Sequence, residues 1–95
     1  MPEKIERIGW ENIHSDTNYS IEVFDKITNE LPPDSYAVAS AHFWKIQCYM
    51  LLKQYDKALE ECDQVSRYTQ YTNLTDQMPA KRKDILKAMD STKVN

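Results

Sequence analysis

The segment from Trp44 to Val65 constrains the fold of this chain more than any other part of the sequence. Apolar and aromatic residues recur in it at helical spacing on both sides of a short polar break, Lys53-Gln54. So short a break allows only a tight turn, and the aromatic and small residues beside it stand where two helices would touch. The segment therefore predicts two amphipathic helices packed as a hairpin.

The composition favours a single helical domain. A chain of 95 residues suits one small domain, and one glycine with four prolines supplies too few turn residues for a β-sandwich. No run approaches the ~18 apolar residues of a membrane span. The charged amino terminus lacks the apolar stretch of a signal peptide. We expect a cytoplasmic protein that does not bind a membrane, with the nucleus as the alternative compartment.

The net charge and the cysteine content indicate which kinds of partner and which compartment the sequence favours. The net charge of −3 gives no reason to expect nucleic acid. The charge is uneven, since residues 1–75 carry −5 and residues 76–95 carry +2. Cys48 and Cys62 are the only cysteines, and in a reducing compartment we expect them to be small core residues without a disulfide.

Hydrophobic periodicity predicts five helices, over residues 3–13, 19–31, 36–53, 56–69 and 79–90. Gly9 lies inside the first, where glycine disfavours a helix by about 1 kcal/mol. Pro32-Pro33 ends the second, because proline cannot continue the hydrogen-bond ladder. Asp34-Ser35 then supplies an N-cap for the third. Residues 68–75 are predicted to form a polar loop.

The last three helices differ in their apolar faces. The third is apolar on nearly all sides in its second half, which indicates burial on more than one side. The fourth is amphipathic, and its predicted inward residues are Ala58, Leu59, Cys62, Val65 and Ser66. Its predicted solvent-facing residues are Lys57, Glu60, Glu61, Asp63, Gln64 and Arg67. The apolar stripe of the last helix is predicted to be Ile85, Leu86 and Met89.

Residues 47–62 resemble part of a tetratricopeptide repeat, a pair of antiparallel helices over about 34 residues. Tyr49 matches the aromatic that ends the first helix of such a unit, and Tyr55 the aromatic that opens the second. Ala58 matches the small residue where the helices approach, and Cys62 the larger inward residue one turn later. Close crossing needs a small residue at the contact, with bulky residues a turn away to fill the grooves.

A weaker unit of the same kind precedes it. Ser20 stands at the small site, Phe24 and Ile27 at the inward sites, and Pro32 at the terminating proline. Its first helix departs from the pattern of the family. The last helix resembles the solvating cap of repeat arrays.

The resemblance implies an all-α fold, a right-handed stack of antiparallel helix pairs with a carboxyl-terminal capping helix. It divides the single domain of residues 1–95 into a degenerate repeat over 1–33, a repeat over 36–70 and a cap over 76–91. Because such arrays need about three units to bury a continuous core, we expect this chain to rely on a partner or on a homodimer.

In this family the first helices of the repeats line a concave groove that binds another protein. Carried across the match, the partner-binding residues are Ser40, Phe43, Trp44, Gln47 and Met50. The competing interpretation is that Phe43 and Trp44 fill core between the two units. If Trp44 instead takes an aromatic site early in the first helix, the groove holds His42, Lys45 and Tyr49.

One branch of the family holds the carboxyl-terminal tail of heat-shock chaperones in a clamp of lysines, asparagines and an arginine. This sequence departs from that branch, because Ile5, Gly9 and Trp44 stand where clamp residues belong. The last helix could still hold an acidic tail through charge-assisted bonds, and the competing interpretation is a solvated basic face. The residues concerned are Lys81, Arg82, Lys83 and Lys87.

No catalytic arrangement emerges from the sequence. Neither His14 nor His42 stands in a recognisable nucleophile–base arrangement with Cys48 or Cys62. Both histidines precede both cysteines and no Cys-x-x-Cys motif exists, so a zinc site is not indicated. The single glycine excludes a glycine-rich phosphate loop.

The sequence therefore predicts a non-catalytic adaptor without a cofactor that binds a peptide or helix of another protein, with a co-chaperone as one version. Two alternatives remain open at this point. One is an obligate structural subunit of a larger assembly. The other is a plain antiparallel bundle with a buried small-molecule site.

Overall fold

All regular structure in the described part of the chain is helical. The computed structural model describes the backbone of residues 2–93 and the side chains of residues 7–91. Its helices are α1 (Pro2–Glu11), α2 (Thr17–Glu30), α3 (Tyr36–Leu51), α4 (Tyr55–Ser66), the single turn α5 (Thr72–Thr75) and α6 (Met78–Lys93). The predicted all-α class is confirmed. The side chain of Ile5, which stands at a clamp position of the family, lies outside the described residues.

Side-chain caps fix where α2 and α3 begin. The carboxylate of Asp16 accepts a hydrogen bond from the backbone N–H of Tyr19 at 3.2 Å, so α2 begins two residues before its predicted start. The hydroxyl of Ser35 accepts one from the backbone N–H of Val38 at 3.3 Å, as predicted for this cap. Each bond satisfies an N–H group that the first turn of a helix leaves free.

A left-handed residue closes the turn between α3 and α4. The N–H of Gln54 donates to the carbonyl of Tyr49 at 2.8 Å, and the N–H of Lys53 donates to that of Met50 at 3.1 Å. Lys53 adopts a φ of 60°. This bonding pattern is a common helix end, and glycine usually occupies its left-handed position because a β-carbon is strained there. The predicted tight turn is present, with lysine in a place that suits glycine.

Gly9 sets the close approach of α1 to α2. A β-carbon on Gly9 would lie 2.7 Å from two ring carbons of Phe24, whose side chain is fully buried. The hydroxyl of the equally buried Ser20 donates to the carbonyl of Gly9 at 2.5 Å. Gly9 disfavours the helix by its low intrinsic propensity, but it is the residue at which α1 and α2 of the first hairpin meet.

Two clusters of buried side chains form the core, and α3 contributes to both. The cluster shared by α2 and α3, with Ile13 just beyond α1, contains Ile13, Phe24, Ile27, Ala41 and Cys48. The cluster shared by α3, α4, α5 and α6 contains Ala39, Ile46, Ala58, Cys62, Val65, Leu74, Met78 and Ile85. The predicted burial of the third helix on more than one side is confirmed, and so is the burial of Ala58.

The helices pack mainly in chain order. The main contacts are α1 with α2, α2 with α3, α3 with α4, and α4 with α6, and a smaller contact joins α1 to α3. No comparable contact joins α1 to α6 within the described residues. The molecule measures 45 × 30 × 18 Å. This serial order differs from a closed bundle, in which the first and last helices pack together.

The segment between α4 and α6 is more ordered than the polar loop that its sequence predicts. The hydroxyls of Tyr68 and Tyr71 donate to the carbonyls of Pro33 at 2.6 Å and Asp34 at 2.9 Å. The ring of Tyr71 meets that of Tyr36 edge to face, with centroids 5.1 Å apart. These contacts hold the segment against the α2–α3 connection. The loop prediction is correct for residues 68–71 and wrong for the single turn α5.

Two other predictions need correction. Ser66 was expected to face inward, but it is exposed and its hydroxyl donates to the carbonyl of Cys62. Leu86 was expected in the apolar stripe of the last helix, but it is 47% exposed. In that helix Met78 and Ile85 are buried instead.

Replacing Lys53 by glycine should raise the free energy of unfolding by about 0.5–1 kcal/mol, because it removes the β-carbon from a left-handed residue. Urea denaturation followed by circular dichroism measures the change. The matched control is Glu60→Gly in the exposed interior of α4, which should lower stability by about 1 kcal/mol. A loss of stability in Lys53→Gly would contradict the left-handed turn.

Replacing Gly9 by alanine separates packing from helix propensity. Propensity alone predicts a gain of about 1 kcal/mol, whereas the clash with the Phe24 ring predicts a net loss of about 1–3 kcal/mol. In a Phe24→Leu background, which removes the ring, the loss should shrink by more than half. The four free energies of unfolding form a double-mutant cycle. A gain from Gly9→Ala in the original background would mean that α1 does not lie against Phe24.

Candidate partner-binding face

Four large, partly exposed side chains follow one side of α3, and we name them the α3 strip: Phe43, Trp44, Gln47 and Met50. Apart from the adjacent aromatic pair, successive members are three or four residues apart, so their side chains line up along the helix. The opposite side of α3 turns toward α2 and α4. The strip is thus an accessible surface on the helix whose other sides form the core.

The two aromatic residues of the strip are shared between core and surface. Phe43 and Trp44 meet edge to face, with ring centroids 5.8 Å apart and an interplanar angle of 86°. Phe43 packs on the cluster of α3, α4 and α6, whereas Trp44 packs on the cluster of α2 and α3. Each ring therefore fills part of the core and stays partly exposed, and the partner-binding interpretation of the pair stays a prediction.

Helix α6 borders the strip and forms a cleft with it. The ammonium nitrogen of Lys81 lies 5.0 Å from the ring centroid of Phe43, within cation–π range. Next to it is a cleft of about 70 Å³ between α3 and α6. Its lining residues are Ile46, Gln47, Met50, Lys81, Asp84 and Ile85. Because the two isoleucines are buried and the others reach the surface, the cleft has an apolar floor and a mostly polar rim.

The remaining groove candidates lie below the surface or on the other side of α3. Ser40 is only 4% exposed and presents almost no surface to a partner, so we leave it out of the α3 strip. The alternative register placed His42, Lys45 and Tyr49 in the groove. In the structure His42 and Lys45 contact Glu61 of α4, and Tyr49 lies under the ammonium of Lys57. That register is not supported.

A network of charged side chains joins α2, α3 and α4 behind the strip. Lys45 Nζ donates to Asp25 Oδ1 at 2.7 Å and lies 3.5 Å from Glu61 Oε2. Glu61 Oε1 lies 2.6 Å from His42 Nδ1. The side chains of Lys45 and Glu61 are only 8% and 12% exposed. The prediction that Glu61 faces solvent was wrong, because its partners on α3 hold the carboxylate between the helices.

The network keeps Lys45 protonated. Burial lowers the pKa of Lys45, but the hydrogen bond to Asp25 and the charges of Glu61 and Asp25 outweigh burial, so its pKa is raised above the ordinary value. Because the folded pKa exceeds the unfolded one, this stabilisation is fully present at neutral pH and is lost as the pH rises through the folded pKa. A lysine that stays protonated does not act as a nucleophile.

The two cysteines are buried in different clusters and form no disulfide. Burial raises the pKa of Cys48 to about 11 and also raises the pKa of Cys62. Both thiols are therefore protonated at neutral pH and are poor nucleophiles. The predicted core role of the cysteines is confirmed.

The structure divides the predicted basic cluster of α6 between two surfaces, with Lys81 on one and Arg82, Lys83 and Lys87 on the other. Lys81 turns toward Phe43 and borders the α3 strip. Arg82 forms an ion pair with Asp63 of α4, whose predicted exposure to solvent is confirmed. Lys83 and Lys87 are exposed beside Leu86. A two-carboxylate clamp is not assembled, because only one of the four cations reaches the strip.

Within the described residues, no three histidine, cysteine, aspartate or glutamate side chains converge where a metal ion could bind. No helix of this part of the chain is long and apolar enough to cross a bilayer. Comparisons with protein-family models, with curated proteins and with solved structures found no match. The likeness to tetratricopeptide repeats therefore rests on the residues of this chain alone.

One signal for the charged network is present in the sequence. Lys45 interrupts the otherwise apolar second half of α3, and a charged residue inside a buried helix needs carboxylates from its neighbours. Which carboxylates they are depends on how α2 and α4 cross α3. The spacing of residues along the chain does not show how these helices cross.

Replacing Lys45 by methionine should lower the free energy of unfolding by about 2–3 kcal/mol at neutral pH. It leaves the nearly buried Glu61 without its ammonium partner, and breaking a buried pair in this way usually costs about 3–5 kcal/mol. The expected loss is smaller because Asp25 is half exposed and Glu61 keeps His42. Urea denaturation measures it, with Lys26→Met on the exposed side of α2 as the matched control. Equal free energies of unfolding for the two variants would mean that the charged network does not stabilise the fold.

Proposed function

We propose that this chain is a non-catalytic adaptor that binds a peptide or short helix of another protein along the α3 strip. The observation that carries the proposal is the row of large, partly exposed side chains on the most enclosed helix of the fold. Tryptophan supplies much of the binding energy in protein interfaces, and methionine adapts to irregular apolar surfaces. The amide of Gln47 adds a hydrogen-bonding group between them.

The strip is held rigid before a partner arrives. Core side chains flank it on both sides, and the charged network fixes α3 to α2 and α4 from behind. A surface that is already ordered loses little conformational entropy on binding, so more of the contact energy appears as affinity.

The cleft beside Lys81 suggests how a ligand is oriented. An aliphatic side chain can enter against the buried floor of Ile46 and Ile85. The ligand backbone then passes the amide of Gln47 and the rings of the strip. Anchoring one apolar side chain in a pocket is a usual way for grooves to set the register of a peptide.

We propose further that the helices form a short stack of the tetratricopeptide type. The pairs α1–α2 and α3–α4 each meet at a small buried residue, Gly9 with Ser20 in the first and Ala58 in the second. The serial packing order supports two units, over residues 1–33 and 36–70, with α6 as the cap over 76–91. In a right-handed stack, the strip would line the inner, concave side.

We propose the cytoplasm as the working compartment, since both cysteines remain free thiols. The co-chaperone version of the adaptor has less support than a general peptide-binding role. Its clamp would need several cations and amides around one carboxylate. Of the four residues of the basic cluster, only Lys81 lies beside the strip.

An obligate subunit is the second candidate function. The observation that favours it is a set of large side chains that stay at least 38% exposed: Ile8, Trp10, Tyr19, Tyr36, Leu51 and Leu86. A subunit that always sits in an assembly would bury such residues. Sedimentation of the isolated chain distinguishes the candidates, because an adaptor forms a discrete monomer or homodimer whereas an obligate subunit without its assembly aggregates.

Replacing Trp44 by alanine should weaken partner binding about 30-fold, the cost of a central interface residue, while helicity is retained. Quantitative affinity capture with the intact chain gives the partners, and titration of the captured protein gives the affinities. Gln47→Arg is the companion variant, because Gln47 is partly exposed and belongs to neither core cluster, so its replacement should leave the core intact. Lys26→Glu on α2 is the control and should bind like the unmodified chain.

Two results would contradict the proposal. One is that both Trp44→Ala and Gln47→Arg retain their partners with unchanged affinity. The other is that Trp44→Ala unfolds the chain while Gln47→Arg binds normally. In that case Trp44 would serve only as a core residue.

A further inference from the structure

We propose that the outward face of α6 docks an acidic amphipathic helix of a partner protein. The face surrounds a shallow, open depression of about 570 Å³. Its lining residues are Pro79, Arg82, Lys83, Leu86, Lys87 and Asp90. This surface is separate from the α3 strip, to which α6 presents Lys81 instead.

The face has an apolar centre that the fold leaves uncovered. Leu86 is 47% exposed, while the core-facing residues Met78 and Ile85 of the same helix are buried. Single exposed leucines are common on protein surfaces and do not by themselves mark a site. The choice of partner therefore rests on the charges around Leu86.

Those charges are predominantly basic. Lys83 and Lys87 lie one turn apart and are exposed, and neither belongs to an ion pair found among the described residues. Asp90 is the one carboxylate that lines the depression. The basic character is local, because residues 76–95 carry +2 in a chain whose net charge is −3. A partner that covers this face must bring carboxylates to the two lysines.

Helix α4 shows within the same molecule how such a partner can pack on α6. It carries four carboxylates and one lysine, and its apolar side lies against α6. At the edge of that contact, the carboxylate of Asp63 pairs with the guanidinium of Arg82. An acidic amphipathic helix on the outward side would repeat this arrangement. Its apolar stripe would cover Leu86, and its carboxylates would meet Lys83 and Lys87.

A test can use the intact chain and a synthetic peptide probe. The probe is an acidic helix with leucines at helical spacing flanked by glutamates, and the reference peptide has lysines in place of the glutamates. Nuclear magnetic resonance titration of the labelled protein should shift amides of residues 80–90 with the acidic probe alone. The α3 strip should be unaffected, which separates this proposal from the proposed function.

The variant Lys83→Glu/Lys87→Glu should weaken binding of the acidic probe about tenfold at low salt, because two attractive pairs become repulsive. The unmodified interaction should itself weaken as salt screens the charges. The matched control carries the same charge change elsewhere, at Lys26→Glu/Arg67→Glu on exposed positions of α2 and the end of α4. It should keep its affinity, and all proteins should retain the same helicity.

Several outcomes would overturn the proposal. One is equal affinity of the two double variants, and another is probe-induced shifts confined to the α3 strip. A dimer of the unmodified chain that Lys83→Glu/Lys87→Glu dissociates would assign the face to a second copy. Binding to phosphatidylserine vesicles without binding to the acidic probe would assign it to a membrane surface.

Discussion

Helix α3 carries apolar side chains on opposite flanks, and each flank needs neighbours of its own. Hairpin α1–α2 covers one flank, and helices α4 and α6 cover the other. The helices therefore pack against one another in the order in which they follow in the chain, and α3 contributes side chains to both core clusters. Along the middle of α3, the strip of Phe43, Trp44, Gln47 and Met50 stays partly exposed between these neighbours. The candidate site is thus a consequence of how the core is divided.

The buried lysine adds specificity to this arrangement. Apolar contacts alone allow α3 to rotate between its neighbours at little cost, because many residues around it are apolar. The charge of Lys45 removes that freedom, since its ammonium must meet Asp25 on one side and Glu61 on the other. Replacing buried ion pairs by apolar residues is often neutral in stability, so the role we assign to this network is the choice of orientation.

Local features of the fold could be predicted from the sequence, and long-range ones could not. The Pro32-Pro33 stop, the Ser35 cap and the Lys53-Gln54 turn depend on neighbouring residues, and each is present. The tyrosine contacts that order the segment before α6 join residues more than thirty positions apart, and periodicity does not show them. For the candidate site, the resemblance to a tetratricopeptide repeat predicted Phe43, Trp44, Gln47 and Met50, and the structure leaves all four partly exposed. It could not show that Ser40 is covered, that Glu61 turns inward, or that Lys81 borders the strip while the other three cations line the outward face of α6.

Native-state hydrogen exchange tests the central claim, the burial of α3 between two cores, most directly. The amides of Ala41, Ile46 and Cys48 should exchange only through global unfolding, with a free energy equal to that from urea denaturation. Amides of α1 and α6, each covered on one side, should exchange through smaller openings. Exchange of the α3 amides at a lower free energy than those of α1 or α6 would contradict the account.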